Sequence, residues 1–168
     1  MFNHRGFSLI ELIVVIVILS ILGLMSFSFL GNSMATYMLV KDGNLIYDEG
    51  LMALERMTRE IRDARHQPPT YTLTPGTNSI TFTRKHPTPQ DNSTNIIFRI
   101  NGNQELERVG DVSGTHILAG HVTSFSPTLF PDPTDPNGKT VKLELGLEIN
   151  SGGTTIPVVL HSSATARN

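Results

Sequence analysis

Glu11 is the only charged side chain between Phe7 and Leu30. It stands one turn inside an apolar run, where an unpaired carboxylate is costly or must reach for the interface. Just before it, Gly6 precedes Phe7, and a glycine at a cut gives close backbone access. A cut between Gly6 and Phe7 frees an α-amino group one helical turn from Glu11. Phe7 and Glu11 then share a helix face as an i, i+4 pair. Within one chain the two charges partly cancel. Between stacked chains, the amine of one docks on the carboxylate of its neighbour. A low dielectric penalises any register that leaves either charge alone. The chemistry expected of Gly6, Phe7 and Glu11 is therefore processing followed by assembly of packed amino-terminal helices.

Other groupings carry less. Asp132 and Asp135 near Asn137 offer oxygens at a spacing that could hold calcium, but the full EF-hand loop is missing and the stretch reads as an Asp/Pro/Gly turn. Asp111, Ser113 and His116 supply the letters of a catalytic triad without a buried scaffold. His116 and His121 flank Gly120 and read as a surface or turn pair. Arg56, Arg59 and Arg62 read as a contact patch or a wet helix face. There is no Gly-rich phosphate loop, nucleophile elbow or HExxH. Cysteine is absent, which excludes thiol catalysis and thiolate metal sites and leaves the fold to packing alone. Net charge is −2 with no long charge block, so nucleic acid is not an expected partner. The reading is structural rather than enzymatic, with no cofactor.

The elements that position these groups follow from periodicity. Residues 7–30 as a helix rise about 36 Å, enough for a hydrocarbon core of about 30 Å. His4 and Arg5 precede the run and no charge follows it until Lys41. That asymmetry predicts a single pass with a cytoplasmic amino terminus and an exported carboxyl-terminal domain. The helix is expected to continue through Gly31 and Gly43, with Tyr47, Leu51, Leu54, Met57 or Thr58, Ile61 and Ala64 as one apolar stripe. Glu55–Arg59 is a favourable i, i+4 pair. Pro68-Pro69 stops the helix, so Phe7 to Arg65 would be roughly 88 Å long. Beyond the prolines the period changes to two. Strands are predicted at 79–84, 95–101, 104–109, 122–129, 139–150 and 154–161, with turns at Asn101-Gly-Asn103 and Gly152-Gly153. Ile117-Leu118 begin a short strand or turn. Residues 85–94 and 130–139 read as loops. The fold class is α+β: one long helix whose stripe is covered by a largely antiparallel sheet with one apolar face. The expected divisions are 1–6, 7–30, 31–67 and 68–168.

Arg5-Gly-Phe-Ser-Leu-Ile-Glu11, followed by Leu-Ile-Val-Val, resembles the class III signal of type IV prepilins and type II secretion pseudopilins. The resemblance covers Met1 to about Leu30. It implies a pilin-like fold and a leader of residues 1–6. A membrane prepilin peptidase would cleave after Gly6 and N-methylate Phe7, and Glu11 would set subunit register. It further implies a bacterial inner-membrane precursor, lipid contact, an assembly platform, and other major and minor pilins or pseudopilins as partners in a pilus or periplasmic pseudopilus. Many pilins have a kinking proline where this chain has Ser28, so that kink is not expected. Leu54-Glu-Arg-Met-Thr-Arg-Glu-Ile-Arg62 also resembles the minor subgroup of J-type pseudopilins and PilW- or MshO-like proteins. The implied function is a minor subunit that initiates or caps a type IV pilus-like filament. The alternatives are a J-type pseudopilin of type II protein secretion and a filament-tip adhesin using residues 130–139.

Overall fold

The computed structural model describes residues 8–67, 70–131, 139–151 and 153–166, the side chains of 66–67 and 70–71 excepted. The Pro68-Pro69 stop and the turn-rich stretch 132–138 fall outside those residues. The chain divides into two compact units, Met1–Lys41 and Asp42–Asn168.

Helix α1, Leu9–Arg62, contributes to both units and runs unbroken through Ser28, Gly31 and Gly43. It stops three residues short of the expected Arg65. Asp63 forms a turn, Arg65 N–H donates to the Thr83 carbonyl (2.7 Å), and Ala64 bridges to Arg84. Strand-type partners for these backbone groups end the helix before the prolines are reached.

In the second unit all strand pairings are antiparallel. β1 (His66–Gln67) and β2 (Thr70–Tyr71) form a small ribbon. β3 (Thr74–Gly76), β4 (Ser79–Thr83), β5 (Asn95–Ile100), β6 (Leu106–Gly110) and β7 (Gly114–Ala119) follow one another as a five-stranded meander. β8 (Val122–Pro131), β9 (Lys139–Ser151) and β10 (Thr154–Thr165) form a separate three-stranded sheet in the order β10-β9-β8. The expectation of one sheet is thus corrected to two main sheets. The break falls at Gly120-His121, where His121 takes a positive φ of 56° and the chain leaves β7 to pair β8 with β9.

Alternation explains which strand faces turn inward. Ile80 and Phe82, Ile96 and Phe98, and Val141, Leu143, Leu145 and Leu147 are buried at every second position. β8 departs from this rule, since Val122 and Phe125 are both buried although three apart. A register shift between Val122 and Ser124 accounts for it. The Phe82 and Phe98 rings lie 5.7 Å apart and tilted, filling the cross-strand space between β4 and β5.

The helix stripe also differs from the spacing expected. Ile46, Gly50, Ala53, Leu54, Met57, Thr58 and Ile61 are buried, whereas Tyr47 and Leu51 are about half exposed (47% and 49%). Gly50 is the reason. A Cβ there would lie 2.7 Å from both Leu147 and Leu160. The helix approaches the three-stranded sheet most closely at a position with no side chain, which rotates Tyr47 and Leu51 outward.

Candidate functional site

Among the described residues of the first unit, every residue from Ser8 to Met38 is exposed. Ile13, Val14, Val15 and Ile16 are each 42–54% exposed. Four successive residues go round the whole helix, so every face is bare. From Leu9 to Leu30 the helix rises about 33 Å, a bilayer's hydrocarbon thickness. Ser20 Oγ donates to the Ile16 carbonyl and Ser26 Oγ to the Leu22 carbonyl, each at 2.8 Å. These hydroxyls thereby enter an apolar medium with their donors satisfied. A helix apolar all round requires lipid or other helices as its surroundings.

Glu11 lies in the first turn, exposed, and its carboxylate has no hydrogen-bond or ion-pair partner among the described residues. Its backbone is fixed instead. Glu11 N–H donates to the Ser8 carbonyl (3.1 Å) and approaches Ser8 Oγ (3.3 Å). Ser8 is the N-cap and Glu11 the third helical residue, the Ser-x-x-Glu pattern of a capping box. The helix dipole favours a carboxylate at this end. The side chain is therefore placed at the head of the helix. Gly6 and Phe7 lie outside the described residues, as do Asp132 and Asp135.

The remaining sequence candidates separate in space. Asp111 accepts from Thr94 N–H (2.8 Å) and Thr94 Oγ1 (2.7 Å), not from His116. The Thr94 hydroxyl, against some desolvation, holds the Asp111 carboxyl below its usual range. His116 Nε2 meets the Ser113 carbonyl at 3.0 Å. The triad letters form no triad, and no cluster of three or more metal-ligating groups occurs among the described residues. On the helix, the ion pair is Arg56–Glu60 (3.1 Å), one step from the expected Glu55–Arg59.

Sequence reasoning missed a buried charge network. Arg108 has no exposed side-chain surface. Its Nε donates to both Glu60 carboxylate oxygens (2.9 and 2.8 Å), NH1 to Ser113 Oγ (2.8 Å), and NH2 to Asp91 Oδ2. Asp91 also accepts from Arg84 NH1 at 2.9 Å. Desolvation opposes the charged form of Asp91, but hydrogen bonds from Ser93 and the Arg108 and Arg84 guanidiniums outweigh it and lower its pKa to about 2. Asp63 extends the chain of charges, lying 3.8 Å from Arg84 Nε and 2.8 Å from His86 Nδ1. The network ties the end of α1 to β6 and to the 85–94 loop. Arg108 shares the inward face of β6 with Leu106. Nothing local showed that Glu60 and Asp91 would meet it there.

Residues 1–27 match the family model described as the prokaryotic N-terminal methylation motif. No curated protein and no solved structure matches the chain significantly. The chain therefore carries a prepilin-type amino terminus, and its long apolar helix with antiparallel sheets is a pilin-like α+β arrangement.

Proposed function

We propose that this type IV pilin-like chain is a minor subunit that initiates or caps a pilus-like filament, after cleavage between Gly6 and Phe7 and N-methylation of Phe7. The observation that carries the reading is the match to the methylation motif, joined to a helix with apolar side chains bare on every face and one acid at its head. The precursor sits in the inner membrane as a single pass, with residues 68–168 on the far side of the membrane from the leader. Prepilin peptidase removes residues 1–6. The new Phe7 amine then becomes the cation that the Glu11 carboxylate lacks within the described chain. Lipid and packed helices are both apolar, so moving from one to the other changes the apolar term little. The amine–carboxylate pair is what distinguishes one register from another. Its attraction grows as surrounding helices exclude water. Assembly of this kind calls on the inner-membrane platform and on other pilins, and asks no catalysis of the chain itself.

The test is the intact mass of the chain purified from membranes and from filaments. The expected product begins at Phe7 and carries one added methyl group. A chain that retained its leader in assembled fibres would overturn the proposal.

A further inference from the structure

Among the described residues, the two main sheets have four edge strands: β3 and β7 on the five-stranded sheet, β8 and β10 on the three-stranded one. An unpaired strand edge is a template for pairing with another chain, and proteins blunt it with proline or charge. Three of these edges carry proline: Pro75 in β3, Pro127 and Pro131 in β8, and Pro157 in β10. β7, Gly114-Thr-His-Ile-Leu-Ala119, has no proline and no Asp, Glu, Lys or Arg. It pairs with β6 alone, and no other backbone partner meets it among the described residues. Ile117 on this strand is 59% exposed, and Val112, in the turn that leads into it, is 62% exposed.

The side chains around β7 define what would fit beside it. On the outer face of the sheet Ile97 stands opposite Val109, and Val109 opposite Thr115, with Ile117 two residues further along β7. Ile97 and Val109 are half-buried, and with Ile117 they make an apolar lane that reaches the open edge. The charges beside this lane, Arg99 and Glu107, already pair with each other at 3.2 Å. On the opposite face Leu118 packs against the core, and His116 Nε2 meets the Ser113 carbonyl. A strand laid along β7 would find alternate N–H and C=O groups over about 20 Å. It would find apolar contact at every second side chain and no free charge to pair with.

We infer that β7 accepts one extended, uncharged strand from an unlike subunit, with apolar side chains at alternate positions against Thr115 and Ile117. Main-chain hydrogen bonds supply the grip, and the alternate side chains supply the selection. The other edges of the main sheets, interrupted by proline, do not pass the pairing on to a further copy. The contact is therefore made once, which suits a subunit that begins or ends a fibre. That the donor is an unlike subunit rests on the minor-subunit reading; the open edge itself does not.

The probe is a capped, fluorescein-labelled eight-residue peptide of alternating valine and threonine, added to the full chain in detergent micelles and followed by anisotropy. Binding is expected, with amide exchange across residues 114–119 slowed at least about tenfold, since those N–H groups gain partners. The same peptide N-methylated at every amide keeps its side chains, loses its donors and is expected not to bind. Ile117→Lys is expected to weaken binding at least about tenfold, and Ile117→Val to preserve it. Val159→Lys, on the proline-bearing β10 edge, is expected to leave it unchanged. Absence of binding, equal binding of the methylated peptide, or loss with Val159→Lys in place of Ile117→Lys overturns this inference alone. The chain has no cysteine of its own, so a disulfide-linked dimer formed by Thr115→Cys and abolished by Ile117→Lys would show a second copy on the edge and overturn the unlike donor. The intact mass of the chain from fibres is read separately. A retained leader there overturns the filament reading and removes a fibre subunit as the donor, even where the peptide still binds.

Discussion

Replacing Arg108 by methionine removes a guanidinium with no exposed side-chain surface and leaves Glu60 and Asp91, 11% and 25% exposed, to face one another's negative charge. Breaking a buried ion pair by deleting one partner costs about 3–5 kcal/mol. Two observations favour the lower end. Asp91 keeps Arg84 at 2.9 Å, and Glu60 keeps Arg56 at 3.1 Å. A loss of about 3 kcal/mol is a large fraction of the roughly 5–15 kcal/mol that stabilises a domain of this size. With a urea slope of about 2 kcal/mol/M, the unfolding midpoint should fall by about 1.5 M. The assay is urea unfolding of the full chain in detergent micelles, followed by circular dichroism of the β domain. A double-mutant cycle with Glu60→Gln isolates the pair: neutralising the stranded acid should recover about 1–3 kcal/mol of the Arg108→Met loss. A midpoint shift below about 0.5 M, or strict additivity in the cycle, would refute the claim that this network fastens the helix to β6.

Four further outcomes are expected. Glu11→Leu should leave membrane insertion and leader removal intact while depleting the chain from filaments, as blotting of sheared fibres against membranes would read; normal incorporation would remove Glu11 from the register role. Gly6→Val should block maturation, seen as retention of Met1 to Gly6 in the intact mass. The Asp91 pKa is depressed to about 2 in the folded state, so its contribution is complete above the ordinary carboxylate pKa of about 4 and is lost as pH falls towards 2; Asp91→Asn should flatten stability across that window, and an unchanged acid limb would count against it. Gly50→Leu should destabilise by about 2 kcal/mol through overpacking against Leu147 and Leu160, whereas Leu51→Ala should change stability by less than about 0.5 kcal/mol. The reverse order in thermal melts would restore Leu51 to the core.

The amino-terminal half of the reading was legible because its signals are local. An apolar run of membrane length follows directly on the motif that ends at Glu11. A helix exposed on all sides adds no tertiary contact to alter them. Strand alternation was legible for the same reason, and β4, β5, β6 and β9 follow it. The Asn101-Gly-Asn103 turn is local as well. Asn101 Oδ1 accepts from Asn103 N–H (2.8 Å) and Glu105 N–H (3.0 Å), which holds the β5–β6 hairpin.

Tertiary structure alone decided the rest. Periodicity ranks positions by the side chain present, so it passed over Gly50, where the absence of one lets α1 approach the sheet and turns Tyr47 outward. Whether the strands would form one sheet or two depended on a single backbone inversion at His121 and on the partner β8 then met. The pairing of Arg108 with Glu60 and Asp91 joins a strand, a helix and a loop far apart in sequence. A charge carries no mark of burial until the chain has brought its partners to it. Local order is written in spacing, whereas the cost of burying Arg108 was settled only by what the folded chain placed around it.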